Sequence, residues 1–229
     1  MSSEGPPAKG AGCVKSVNVG LLVHGSAKGI PTAIDKRPAG GPVWVSDPGP
    51  GKGASGVEGD FIGDHEHHGG TGQAVYAFAR EDLDYWQGEL SRELPDGMFG
   101  ENLTTLGIDP NRAQIGEQWQ IGRELVLQVT APRIPCKNFS DRMGENGWAR
   151  RFTEAGRPGA YLKVINPGPV SAGDSITVLH RPSHQVDVTL ALWALTIKPE
   201  FLGQLLMAGD DLGTDLRSEV EEKLQRGPH

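Results

Sequence analysis

The chain has 229 residues, enough for one sizeable domain plus a small appendage whose core needs no disulfides. Its net charge of −7 argues against nucleic acid as the main partner, and a mean hydropathy of −0.37 with no long apolar run argues against a membrane span. Two cysteines make no disulfide framework, and the N-terminus lacks the basic start and apolar stretch of a signal peptide, so a cytoplasmic setting is expected. The 33 glycines and 17 prolines, spread along the chain, favour many short strands over a helical bundle.

In chain order, residues 1–14 read as a flexible Gly/Pro-rich tail that carries Cys13. Residues 15–23 form the first strand, with Val17, Val19 and Leu21 on one face. A short strand is expected at 42–46 and a Pro/Gly loop at 47–55. The stretch from Ile62 to Thr71 is too glycine-broken for regular structure. Residues 74–79 read as a strand. Residues 81–93 read as a helix, with Leu83, Trp86 and Leu90 at helical spacing. Residues 97–103 form a turn entering a strand, and 117–121 with 125–130 form a hairpin about Gly122 and Arg123. Residues 139–155 look helical around Gly144. Strands at 159–165 and 175–180 are separated by Asn166-Pro-Gly-Pro, and the main domain closes near residue 181. Residues 182–229 change character. Leu190/Trp193/Ala194, Phe201/Leu205/Leu206 and Leu212/Leu216/Val220/Leu224 predict a three-helix extension. Such stripes need burial against one another, the main domain or a second subunit, so a homodimer is among the expected assemblies.

The stretch of most chemical interest is 125–137. Leu125, Leu127 and Val129 alternate with Val126, Gln128 and Thr130 as in a strand, and Pro132 ends the ladder because it has no N–H. Pro135 stiffens the backbone before Cys136, while Arg133 and Lys137 bring positive charge to it. Positive neighbours favour the thiolate, which is both nucleophile and metal ligand. A buried, inert cysteine is the plain alternative. Residues 123–163 as a whole hold eight Lys/Arg against four acids, which suits a small anionic ligand in an otherwise acidic protein.

A second loop holds Asp60, Asp64, His65, His67, His68, Gly69 and Gly70. It reads as a metal site, as a solvated polar loop, or as a cleft wall in which His68 and two glycines expose polar groups to an anion. A third stretch, Phe99-Gly-Glu-Asn-Leu, offers Glu101 for proton transfer or for a backbone turn. Lys36 and Arg37 offer anion contacts.

Together, Gly59-Asp60…His67-His68-Gly-Gly…Ala74-Val-Tyr76, Phe99-Gly-Glu-Asn-Leu103, Pro132-Arg-Ile-Pro-Cys136, Gly159-Ala-Tyr161 and Gly173-Asp-Ser-Ile176 resemble the MOSC family. The family is named for the C-terminal domain of molybdenum cofactor sulfurases, and the spacing looks most like its YiiM-type bacterial branch. The resemblance covers 15–180, and the helical extension is similar to that of the same branch. It implies a mostly β, distorted β-barrel with short helices and a cleft for a molybdenum–molybdopterin cofactor. Cys136 matches the family cysteine that ligates the metal. Arg133, His68 and Asn102 match positions lining the cleft, with Gly69 and Gly70 beside them. Gln73 stands where the family often has Lys, and Ile134 where a polar residue is common.

The activity this implies is reduction of small N-hydroxylated compounds such as hydroxylamino-purines. Electrons would come from a separate flavoprotein, because no dinucleotide-binding fingerprint is present. Cys136 would hold the metal. Arg133, Lys36 and Arg37 would meet the pterin phosphate, and His68 or Glu101 would deliver a proton. The rival readings are a non-enzymatic cofactor or persulfide carrier using Cys136, and a thiol redox sensor.

Overall fold

The computed structural model describes residues 12–20, 34–62 and 68–226. The expected tail before residue 12 and the loop residues Asp64, His65 and His67 lie outside the described residues. Among the described residues ten strands are formed: β1 (Gly12–Gly20), β2 (Lys36–Pro38), β3 (Val43–Val45), β4 (Val75–Ala79), β5 (Leu103–Leu106), β6 (Gln118–Ile121), β7 (Leu125–Pro132), β8 (Ala160–Asn166), β9 (Gly168–Val170) and β10 (Ser175–His180). The helices are α1 (Arg80–Leu90), α2 (Lys137–Met143), α3 (Trp148–Ala155), α4 (Val188–Thr196), α5 (Leu202–Leu205) and α6 (Thr214–Arg226).

Seven strands close a ring in the order β10-β6-β7-β8-β4-β5-β1, because β1 pairs back onto β10. The barrel is mixed: β4 and β5 are parallel, joined by the crossover through α1, and the other pairs are antiparallel. The β6–β7 hairpin turns through residues 122–124, and Gly122 takes φ of 59°, a left-handed conformation that glycine adopts without steric cost. β2 extends the ring edge beside β1, and β3 pairs with β9 in a separate ribbon.

The alternation within β4 explains two cores. Val75 and Ala77 point into the barrel with Leu103, Trp119, Leu127, Val129 and Leu162. Tyr76 and Phe78 point outward into an aromatic layer with Trp86, Phe99, Phe139, Trp148 and Phe152. Its rings pack mostly edge-on or tilted, for example Phe99 on Phe139 at 5.1 Å and Trp86 on Trp148 at 4.7 Å between ring centroids, while Trp86 stacks on Phe152. The expected helical stretch around Gly144 is two helices. Gly144 and Gly147 both take φ of 67°, ending α2 and starting α3.

Two expectations change. β1 begins at Gly12, so Cys13 lies in a strand opposite Leu106 and Ser175 and not in a tail. Strand pairing on both sides satisfies this backbone, and the residues there show no apolar alternation to announce it. The connection after Asn166 contains β9, whose Pro169 sits opposite Trp44 in a two-stranded ribbon where a missing N–H is tolerated.

The C-terminal helices are not a separate lobe. Val188, Leu195, Leu205, Leu212 and Val220 share one apolar cluster with the barrel strands. Backbone bonds from Ile115 N–H to Val186 O and from Val188 N–H to Ala113 O, each 3.0 Å, tie the entry of α4 to the barrel. Asp187 caps α4 by accepting from Leu190 N–H at 2.7 Å. Deleting residues 186–226 is therefore expected to abolish cooperative thermal unfolding, read by circular dichroism, because it opens the shared core to water. Among the described residues no helix is long and apolar enough to cross a membrane.

Candidate active site

β7 runs through Pro132, which pairs with Ala160, and the chain then leaves the barrel. Cys136 is extended, at φ −105° and ψ 172°, immediately before α2. This places its thiol in a cleft of about 100 Å³ lined by His68, Gly69, Gln73, Asn102, Tyr76 and Tyr161, among others. Arg133 is 5% exposed and donates to Ile134 O at 2.6 Å and to Cys136 Sγ at 3.5 Å, with its guanidinium over Phe139. Burial pushes the Cys136 thiol up, but the His68 hydrogen bond and the Arg133 guanidinium outweigh it and bring the thiol down to about 6. The thiolate therefore predominates at neutral pH. Alkylation of Cys136 by iodoacetamide, followed by peptide mapping, is expected to rise through pH about 6 instead of the ordinary 9.0. Arg133→Gln is expected to move that midpoint upward, since it removes a cation that favours the anion.

Asp60 organises the opposite wall. It accepts from Gly20 N–H at 2.7 Å, Ser55 Oγ at 2.6 Å, Asn102 Nδ2 at 2.9 Å and Lys36 Nζ. Asn102 in turn accepts from Tyr76 N–H at 3.1 Å, which fixes its amide against β4. The sequence reading grouped Asp60 with a metal loop. Its carboxylate is instead saturated by four donors, and no cluster of three metal-ligating side chains occurs among the described residues.

Several expected site residues sit elsewhere. Lys36 lines the cleft but is buried in its pair with Asp60. Burial lowers its pKa while Asp60 opposes the shift. Arg37 follows it on β2, so its side chain alternates outward; it is 74% exposed against Asp35 and does not line the cleft. Gly69 and Gly70 do not present free N–H groups. Gly69 N–H goes to Gln73 Oε1 and Gly70 N–H to Ala54 O. Both glycines have positive φ, and a Cβ would lie 2.5 Å from Ala54 O at Gly69 and 2.7 Å from Gly51 O at Gly70. They are there for loop packing.

Glu101 lies behind the wall and not in the cleft. Its carboxylate accepts from Gly97 N–H at 2.6 Å, Phe99 N–H at 3.0 Å and Thr104 Oγ1 at 2.9 Å. Full burial raises its pKa to about 7 against those bonds. It holds the 97–101 turn, whereas His68, the other residue expected to deliver a proton, lines the cleft. Tyr161 and Tyr76, with rings 5.2 Å apart, were not singled out by residue chemistry. Only their places in the quoted motifs pointed to them.

A profile of the MOSC domain matches residues 64–177, from before β4 into β10. YflK of Bacillus subtilis strain 168, described as uncharacterized, is 32% identical over 180 residues, 78% of each chain. A protein named Reductase from Gibberella moniliformis is 32% identical over 185 residues, 77% of this chain but 31% of its own length. YiiM of Escherichia coli K12 is 31% identical over 170 residues, 71% of this chain and 69% of that protein. The crystal structure of YiiM from Geobacillus stearothermophilus superposes with a TM-score of 0.73 at 21% identity, over 93% of this chain and 99% of that one. A barrel closed β1 to β10, a cysteine just past β7, and relatives matched over most of both lengths agree: the chain belongs to the MOSC domain family.

Proposed function

We propose that the protein is a molybdenum-cofactor-dependent reductase of N-hydroxylated compounds. The observation that carries this is the Cys136 thiolate, held in a cleft by His68 and Arg133. A single soft donor suits a molybdenum ion whose other sulfur ligands come from the pterin. Cys136 would ligate the metal, with Arg133 and Asn102 beside it. When bound, the molybdenum centre supplies the two-electron redox chemistry.

The net reaction takes R–NHOH, two electrons and two protons to R–NH₂ and water, breaking the N–O bond. The electrons come from a separate flavoprotein. Arg133 keeps Cys136 ionised and oriented. His68 donates toward the sulfur in the resting site and would pass a proton to the departing oxygen. Tyr76 and Tyr161 form an aromatic wall of the cleft. The Gibberella relative, named a reductase with most of its length outside the match, supports a reductive role whose remaining parts lie elsewhere.

A persulfide or cofactor carrier would use the same ionised thiol, and is the second reading. The test is to purify the protein from a molybdopterin-competent host, assay molybdenum and pterin, and supply a flavoprotein reductase with a hydroxylamino-purine. Bound metal with multiple turnover is expected. Bound metal without turnover would favour a cofactor carrier, and no metal would defeat both the reductase and the cofactor carrier and leave the persulfide carrier.

A further inference from the structure

A molybdopterin carries a phosphate monoester, close to a dianion at neutral pH, which needs cations. The side chains expected to supply them are committed elsewhere. The Arg133 guanidinium donates to Ile134 O and Cys136 Sγ and lies over Phe139. Lys36 is buried against Asp60, and Arg37 lines neither the Cys136 cleft nor the groove beside it. Position 73 carries no charge, and the Gln73 amide oxygen accepts from Gly69 N–H at 3.2 Å.

The groove is a cavity of about 900 Å³ that shares His68, Gly69, Gln73 and Tyr161 with the cleft. A cleft of about 100 Å³ takes the metal and its nearest ligands, so the fused rings of a pyranopterin have to extend into the larger space. Two lysines line that space with no ion-pair partner among the described residues, Lys52 and Lys163. We propose that Lys163, assisted by Lys52, binds the phosphate of the cofactor. The inference rests on the molybdopterin part of the reading above and not on reduction, so a cofactor carrier would need the same pair.

Strand register is the first argument. Lys163 follows Tyr161 by two residues on β8, so it lies on the same face and roughly 7 Å further along. Tyr161 lines the cleft, which puts Lys163 one step out from the metal position, where a group carried on the ring system would reach. The floor between them is fixed, because Thr130 Oγ1 donates to Gly72 O at 2.6 Å and to Tyr161 O at 3.0 Å. Lys52 comes from the other side. Its neighbour Gly53 donates its N–H to His68 O at 2.8 Å, which holds Lys52 beside the histidine that faces Cys136.

Charge is the second argument. The acids of the groove, Asp210, Asp211 and Glu219, all come from the C-terminal extension. Glu219 pairs with Lys223 at 3.4 Å, and Asp211 lies 3.6 Å from His184 Nε2, which leaves Asp210 alone. A phosphate is repelled from that wall and drawn to the barrel wall, where both free lysines stand. The amino-pyrimidinone edge of a pterin presents N–H donors, which a carboxylate accepts.

The test uses the whole chain made in a molybdopterin-competent host. Wild type, Lys163→Ala, Lys163→Arg, Lys52→Ala and the control Arg37→Ala are washed by gel filtration at low and high salt. Pterin per chain is read by fluorescence after oxidation. Lys163→Ala is expected to retain ~10-fold less pterin than wild type at low salt, and to respond less to added salt. Lys163→Arg should recover most of the loss, Lys52→Ala should lose less because it is exposed and screened, and Arg37→Ala should match wild type. Tm of the cofactor-free proteins should be equal, since Lys163 has no partner to lose. Retention by Lys163→Ala equal to wild type, or a loss that Lys163→Arg does not restore, would overturn the assignment.

A second arm uses wild type from a host without molybdopterin. Acylation of Lys163 by an N-hydroxysuccinimide ester, read by peptide mass spectrometry, is expected to be slower in inorganic phosphate than in chloride at equal ionic strength. Lys137, which lines neither cavity, should show no difference. Protection of Lys163, with no pterin in wild type from the competent host, would support the anion site and remove the molybdopterin reading. Neither protection nor pterin would overturn both.

Discussion

Cys136→Ser is expected to abolish N-hydroxyl reduction and to lower molybdenum retention on the order of 100-fold or more. The argument begins with the donor. The thiol is already pulled down to about 6 by His68 and Arg133, against the push of burial, so the folded chain presents an anionic sulfur. A serine hydroxyl at the same place is hard and stays protonated, and the Arg133 guanidinium, held at 3.5 Å from the sulfur, loses its anionic partner. Stability should change little, by about 1 kcal/mol, because the side chains are nearly isosteric and Cys136 is only partly buried. Molybdenum by mass spectrometry, turnover with a flavoprotein donor, and urea unfolding read the three effects separately. Equal metal content and rate in the two proteins would remove Cys136 as the ligand.

The second large effect is one of stability. Asp60→Asn removes the charge that balances Lys36 inside the protein, where the carboxylate side chain is 1% and the lysine 9% exposed. Leaving a buried ammonium without its partner costs about 3–5 kcal/mol. The amide also brings its own N–H₂ to a site where Ser55, Asn102 and Gly20 N–H already donate.

The pH dependence follows from the sign of the lysine shift. Burial lowers the Lys36 pKa from 10.5 in the folded chain, and loss of Asp60 removes the group that raised it. The unfolded chain then binds more protons than the folded one over the window below 10.5, so stability rises with pH there. The deficit of Asp60→Asn against wild type, measured by urea unfolding at pH 7 and pH 9, should therefore be smaller at the higher pH. A variant as stable as wild type at both values would show that the pair contributes nothing. Because Asn102 is tethered to Asp60, the same substitution should also loosen the cleft wall and weaken cofactor retention.

Much of the architecture was legible in the chain. Period-2 alternation marked β7, and β1 at Val17 and Val19, because side chains alternate across a sheet and these strands turn an apolar face to the core. Gly122 marked a turn and Gly209 a helix break, since the backbone there takes φ of 59° and 54°; at Gly144, where φ is 67°, one helical stretch was expected and two helices form. Spacing among distant motifs marked the family and Cys136, whose direction Pro135 and the start of α2 restrict locally.

Other features depended on partners far away in the chain. β1 starts at Gly12 because β5 and β10 take up its backbone groups, and β9 exists because β3 lies alongside. Arg37 and Glu101 were read from side-chain type. Which way each points, and which donors reach it, was decided by the pairing of β2 and by the turn at 97–101. Asp60 looked like a ligand in a histidine-rich loop until Gly20, Lys36, Ser55 and Asn102 converged on it from four places in the sequence. The groove beside the cleft has no sequence signature, because its two walls lie more than a hundred residues apart, at Gly72 and Gly213. Local pattern records which residues must leave water. Which of them meet, and which charge is left without a partner, is settled only when the barrel closes and the C-terminal helices pack onto it.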